Sequence, residues 1–304
     1  MFIASAIVTA QKIMQTIYNK TLLAWDMDNP FEQLLPLATE VPSTGAEEDY
    51  RWLQEMPIFL EWLGDLTVSD IANFAYTLRN QHFAAGVGID KDELADDKWG
   101  MITPRLQGLA ARAKLHRAKL IHSLILNATA NLAYDGIAVI ADPTGVRVND
   151  NLLAGTISAA TPTVAQIQAD IRTMRNAMLA FVDGRGEVLG FTPDTFVVPP
   201  NLEMGFKTVL GAVSDPATTS AGGYNAYRGI ASVVVDPSLS DLNDFYGLCT
   251  RWPVKPFVYQ NRQEAELELV EQKLNKKLIF KADYRGAAGY SFPALIAKCV
   301  SAVG

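Results

Sequence analysis

The sequence predicts a mixed body of helices and strands that carries two appendages, an acidic N-terminal arm and an extended hairpin. Three observations predict it. Apolar residues recur three and four apart over 104–128 and 164–181, the period of helices that bury one face. The segments around 74–89 and beyond 230 alternate apolar with polar residues, the period of strands. The chain of 304 residues is 49% hydrophobic and 19% charged, which suits one or two packed domains rather than disorder.

Composition also removes several functions. With 33 acids, 26 bases and a net charge of -7, the chain has no general basic surface to wrap nucleic acid, although local basic patches remain open. Two isolated cysteines, Cys249 and Cys299, make no disulfide framework and fit a reducing cytosol. Three scattered histidines and those cysteines give no zinc site of recognised spacing.

The opening MFIASAIVTAQKIMQTIYNK has no basic residue before its apolar run, since Lys12 and Lys20 follow it, so it is a poor signal peptide. The run is too short for a bilayer span, and no later stretch reaches eighteen apolar residues. Ile3, Ile7, Ala10 and Ile17 fall at helical spacing, which predicts an amphipathic helix docked on the protein or a neighbour; membrane-surface binding is the alternative. Residues 22–50 read as an extended arm. Over residues 1–50, seven acids against two lysines give the arm a net charge of -5. Ordering each backbone residue costs about 1–2 kcal/mol, so such an arm needs a surface, its own body or another subunit.

In residues 50–90, Phe74, Tyr76 and Leu78 share one strand face and Phe83, Ala85, Val87 and Ile89 another, with Asn80-Gln81-His82 as the expected hairpin turn. That turn lacks the favoured glycine, and a lone hairpin is marginal in water. His82 reads as a turn or contact residue. The run Asp90, Asp92, Glu93, Asp96, Asp97 lacks the glycine and terminal glutamate offsets of an EF-hand loop and reads as a solvated or intersubunit acidic face.

The first long helix is expected from Pro104, a residue suited to a first turn. Leu106, Leu109, Ala113, Leu120, Leu124 and Ala128 form its apolar stripe. Arg105, Arg112, His116 and Lys119 line the other face, and with Lys114 and Arg117 they make residues 101–122 +5 without an acid. His122 reads as packing or surface. A strand-like AVIA follows and stops at Asp-Pro. Val164, Ile167, Ile171, Met174, Met178 and Phe181 predict a second helix, capped by Thr163 with Gln166. After the turn DGRG come the short strand TFVVPP and a helix at LEMGFKTVLG. Residues 214–226 form a soft surface loop, and beyond it IASVVVDP, DFYGLCT, PVKPFVYQ and AELELV read as strands.

No phosphate-binding loop, dinucleotide fingerprint or nucleophile elbow is present. Asp241 and Asp244 have no partner base or nucleophile and read as loop residues; Cys249, beside Tyr246 and Leu248, reads as core. The sequon at Asn127 falls inside a helix and is discounted. No catalytic, cofactor or metal residue is assigned. An arm and a hairpin that one copy would struggle to order make sense in an assembly, reaching the next copy by strand addition or across the basic helix.

Several motifs in a fixed order carry a resemblance. VPSTGAEEDYRWL, Glu61-Trp62-Leu63-Gly64-Asp65, YTLRNQHF, IDKDELADDKWG and TPRLQGLAARA are followed by Ala133-Tyr134-Asp135-Gly136, MRNAML and GFTPDTFVVPPNLE. VVVDPSLSDLNDFYGLC, VKPFVYQNRQEAEL and FKADYRGAAGY complete the series over roughly residues 35–295. Together they resemble the major head (capsid) proteins of Mu-like tailed phages. The resemblance implies an α+β fold of the Hong Kong 97 type. Its layout would be an arm (1–49), an extended loop made of a long hairpin (50–97), a peripheral domain with a spine helix (98–185), an axial domain (186–250) and C-terminal strands returning to the peripheral domain (251–304).

It also implies a subunit that self-assembles into hexamers and pentamers of an icosahedral head around double-stranded DNA. Scaffold, portal and decoration proteins would be its partners, with the DNA held on the inner face without sequence specificity and no membrane contact. The places implied are the virion and, during assembly, the host cytoplasm. The residues expected at intersubunit contacts are Trp52, Trp62, Phe74, Tyr76, His82, Phe83, Arg105, Arg112 and Lys119, the last three receiving acidic partner surfaces in preference to DNA. The competing readings are a soluble cytosolic enzyme without a recognisable motif and a phage tail structural protein.

Overall fold

The computed structural model describes residues 12, 15, 16, 30–50, 76–90, 99–142, 147–158, 161–183, 186–217, 223–272 and 277–301. Apart from helical Lys12, Gln15 and Thr16, the expected opening helix lies outside them, as do Trp52, Trp62, Phe74 and the acidic run after Asp90. Along the chain, a 3-10 helix (Pro30–Leu37) leads into β1 (Ala38–Pro42) and β2 (Glu47–Tyr50), then β3 (Tyr76–Arg79) and β4 (Gln81–Asp90). Next come α1 (Trp99–Leu126), β5 (Leu152–Ala154), α2 (Val164–Leu179), β6 (Thr195–Val198) and α3 (Pro200–Gly211). The order closes with β7 (Ser232–Val235), β8 (Phe245–Leu248), β9 (Phe257–Gln272), β10 (Lys277–Tyr290) and β11 (Ile296–Val300).

Two sheets carry the fold. The first is four-stranded in the order β1-β9-β10-β4 and covered on one face by α1. Strict alternation makes β10 one-sided: Leu278, Phe280, Ala282 and Tyr284 are buried, and the first three pack with Ile89, Leu106, Leu109 and Ala110. The second sheet is five-stranded in the order β5-β11-β8-β6-β7. Its β6, TFVV, is buried at every position, as an unbroken apolar run requires. The helices α2 and α3 share one core with this sheet, where Ile167, Ile171, Met174 and Met178 meet Phe196, Phe206 and Phe245. The expected cap of α2 is present, Thr163 accepting from the Gln166 backbone and Gln166 reaching back.

A third core joins the sheets. Ile121 and Ile125 of α1, both fully buried, pack with Val197, Tyr246 and Leu248 of the second sheet and Phe257 and Tyr290 of the first. The same cluster takes in Leu34 and Leu37 of the arm, so residues 30–50 order themselves on their own body.

Two expectations are corrected. The helix begins at Trp99, not Pro104, because a proline so near the start removes one backbone hydrogen bond without stopping the helix. The strands around Asn80 do not pair with each other. β3 pairs with β2, from Tyr76 on Tyr50 to Arg79 on Glu47, and β4 pairs with β10 along its whole length. Only Asn80 separates β3 from β4, and its side-chain amide donates to Ser43 Oγ and the Gly45 carbonyl, which holds the chain at a crossing between sheets rather than in a reversal. Among the described residues β9 and β10 form a long antiparallel pair. α2 packs on the second sheet rather than beside α1, because its apolar stripe matches the phenylalanines of β6, α3 and β8. β11 runs between β5 and β8 while β9 and β10 stay in the first sheet.

Gly286 marks a register shift in β10 against β9, and a Cβ there would lie 2.6 Å from the Gln260 carbonyl oxygen. Gly88, in the neighbouring strand, has nothing within 4 Å of such a Cβ. We expect Gly286→Ala to cost about 1–3 kcal/mol in urea unfolding, and Gly88→Ala to stay within about 0.5 kcal/mol of the parent.

Candidate assembly surface

Helix α1 presents its cations in two sets. Arg105, Arg112 and Lys119 are exposed and fall seven residues apart, on one line with about 10.5 Å between neighbours. None of the three forms an ion pair among the described residues. Lys114 and Arg117 are engaged within the subunit. Lys114 Nζ lies 3.1 Å from Glu32 of the arm. The Arg117 guanidinium donates to Glu264 at 2.7 Å and sits 5.8 and 5.4 Å from the ring centroids of Tyr259 and Tyr284. Burial works against that charge, and Glu264 with the two phenol rings offsets it; Glu264 in turn is held below the usual carboxylate range by Arg117 and Asn261 against the opposing effect of its own burial.

Part of the opposition between arm and helix is therefore closed inside one chain. Glu32 meets Lys114, Glu40 accepts from the Asn261 amide, and Asp49 accepts from Thr77. Glu48 accepts from the backbone of Gly45 and Thr44 and from Ser43, which lowers its pKa.

Beside the exposed cations lies a groove of about 530 Å³ between α1, β4 and β10. Its walls are Phe83, Leu109, Ala113, Leu115 and Tyr284, with Arg112 and Lys119 at the rim. Phe83 lies 4.6 Å from the His116 ring centroid and 5.2 Å from that of Tyr284. His116 Nδ1 is hydrogen-bonded to the Tyr284 hydroxyl. Burial, then Lys119, lowers the His116 pKa, and burial raises that of Tyr284, so the pair is neutral at pH 7 and the rim carries the charge.

The residues expected at contacts do not form one surface. Phe83, Arg112 and Lys119 meet at the groove, with Arg105 further along the same line of α1. His116, expected on the exposed basic face, is half-buried in the groove wall. His82 points to the other side of the sheet, as alternation demands, where its Nε2 lies 2.8 Å from Asp283; that contact lowers the Asp283 pKa. Tyr76 is half-buried in a small cluster with Tyr50, Val258 and Val254. His122 bonds the fully buried Asp236 and meets Phe31 edge-on. Asp244 is buried under Lys298 at 2.6 Å, while Asp241 caps Asn243 in its own loop. Burial raises the pKa of both Cys249 and Cys299. Among the described residues no three His, Cys, Asp or Glu groups are placed to share a metal ion, and no helix is long and apolar enough to cross a membrane.

Tyr284 and Arg117 are the residues that sequence reasoning missed. Alternation along KLIFKADY identifies Tyr284 as inward-facing, but its pairing with His116 across 168 positions leaves no local trace. The arrangement offers an apolar floor between two cations and suits an extended, acidic polypeptide rather than a reacting group.

The family model for the Mu-like prophage major head subunit gpT matches residues 8–161, 158–239 and 240–302. The Mu-like prophage FluMu major head subunit of Haemophilus influenzae is 33% identical over 104 residues, 34% of each chain. The major capsid protein of Escherichia phage Mu is 29% identical over 125 residues, 41% of each chain. The chain thus spans about a third and two-fifths of the length of these curated relatives. Among solved structures, a chain of the procapsid of bacteriophage JBD30 superposes with a TM-score of 0.55 at 21% identity, over 98% of this chain and 76% of that one. A chain of the virus-like particle from Pyrococcus furiosus gives 0.54 at 11% identity, over 94% and 98%. At such identities the likeness establishes the α+β fold shared with these shells.

The Arg117 clamp generates a prediction. Arg117→Ala removes the guanidinium between Tyr259, Tyr284 and Glu264 and should cost about 1–3 kcal/mol in denaturant unfolding. Glu264 has a folded pKa below its unfolded value, so its stabilisation is complete above about pH 4.3 and disappears as pH falls through the folded value. Thermal melts between pH 6 and 3 should show a shallower acid loss for Glu264→Gln than for the parent.

Proposed function

From the premise that the chain belongs to the family of Mu-like prophage major head subunits, we propose that it is the major capsid protein of a phage head. It self-associates into the capsomers of an icosahedral shell that encloses double-stranded DNA. The observation that carries this reading is the match of one family model along residues 8–302, on a fold shared with procapsid and virus-like-particle chains.

On this reading α1 is the spine helix of a peripheral layer built on the four-stranded sheet. The five-stranded sheet with α2 and α3 forms the axial part. The arm over 30–50 locks its own subunit, supported by the Glu32–Lys114 pair and by β1 lying parallel to β9. The rim of Arg105, Arg112 and Lys119 then faces protein acids more readily than DNA, since a net charge of -7 repels a polyanion. Scaffold, portal and decoration proteins are the further partners of such a shell, and the virion and the host cytoplasm during assembly are its places.

The test is direct. Size-exclusion chromatography followed by negative-stain microscopy of the expressed chain should show capsomers or closed shells. A small compact species would overturn the reading, and tubes or stacked rings would assign the chain to a tail.

A further inference from the structure

Resting on the reading of the chain as a shell subunit, we infer that the groove beside Phe83, with its Arg112 and Lys119 rim, receives residues 92–97 of a second copy. The groove has an apolar floor and two exposed cations about 10.5 Å apart along α1. Its complement must be acidic at two points with small or apolar residues between.

Most acids near α1 are engaged elsewhere. Glu32 holds Lys114, Glu264 holds Arg117, Glu40 and Asp49 accept from Asn261 and Thr77, and Asp283 holds His82. Of the run Glu47-Glu48-Asp49, Glu48 and Asp49 are bonded within the subunit; the other dense acidic run near these elements is Asp92-Glu93-Leu94-Ala95-Asp96-Asp97. Two acid pairs bracket Leu94-Ala95, and in an extended chain the pairs stand about 13 Å apart. That matches the two cations across the apolar floor. Residues 51–75 carry Glu55, Glu61, Asp65 and Asp70, the same number of carboxylates spread over a far longer stretch.

Chain length decides which copy supplies the run. In its own subunit the segment is tied to Asp90 at the end of β4 and to Trp99 at the start of α1. About 30 Å of extended backbone joins those points. Lys119 lies about 30 Å from Trp99 along the helix axis, so the segment cannot travel out to it and back. Only another subunit can set these carboxylates against both cations, a head-to-tail contact of the kind that closes rings.

Charge exchange tests the contact in the full chain. Arg112→Glu with Lys119→Glu, and separately Asp92→Lys, Glu93→Lys, Asp96→Lys with Asp97→Lys, should each reduce shell yield at least tenfold at physiological salt, with the subunit's thermal melting unchanged. Combining both sets of changes in one chain should restore shells, because every reversed groove then meets a reversed segment, in five-membered rings as in six-membered ones. Unimpaired shells from the Arg112/Lys119 variant, or no recovery in the combined chain, would overturn the contact while leaving the shell reading intact. Recovery brought instead by lysines at Glu55, Glu61, Asp65 and Asp70 would overturn it in favour of the other segment. A parent chain that stays monomeric sinks the shell reading itself, and this contact with it.

Discussion

The wedge of α1 between two sheets is the constraint on which the rest depends. At 28 residues the helix is about 42 Å long, and its two halves do different work. Leu106, Leu109 and Ala110 cover the four-stranded sheet, whereas Ile121 and Ile125 reach the place where both sheets and the arm meet. Burying those two isoleucines is worth about 3–6 kcal/mol together, a large share of the 5–15 kcal/mol that separates a folded domain from its unfolded chain. Once the buried stripe is fixed, the opposite line of Arg105, Arg112 and Lys119 must face outward. The exposed cations and the apolar residues that join the sheets are two faces of one rigid rod.

Buried polar groups tie the layers where apolar packing alone would leave them free to slide. Asp194 accepts from the backbone of Thr250 and Arg251 and from the Thr250 hydroxyl. Asp170, on α2, accepts from the backbone of Thr156 and Ile157, and Asn151 donates to the carbonyls of Val139, Pro293 and Ile296. Each side chain satisfies backbone groups that burial would otherwise leave unpaired, most of them in loops. Their acids therefore carry structure rather than reactivity. Asp236 bonds His122 and caps Ser238 for the same reason.

What the sequence made legible follows from how local each signal is. The period and capping box of α2 lie within neighbouring residues, and so does the alternation of AELELV in β9; all three were readable. The partner of a strand is not local. Tyr76 and Phe83 are seven residues apart, yet one pairs into β2–β3 and the other into β10, and nothing near Asn80 distinguishes that crossing from a hairpin. The same limit hid the groove, since Phe83, His116 and Tyr284 come from three distant segments. Arg112 and Lys119 were readable as exposed because they stand opposite the apolar stripe, whereas Lys114 and Arg117 share their composition and differ only in what lies across from them.

The place of β11 in the second sheet bears on when a subunit becomes competent. Strands β5, β6, β7 and β8 are made early, but β5 has no bridge to β8 until Ile296–Val300 slot between them. Strand β11 pairs with residues as far back as Leu152, a contact of high sequence separation that forms late. During synthesis the sheet stays split while the first sheet waits for β10 as well. Neither sheet is complete before residues 277–300 arrive, so topology alone makes the closure of both layers wait on those strands.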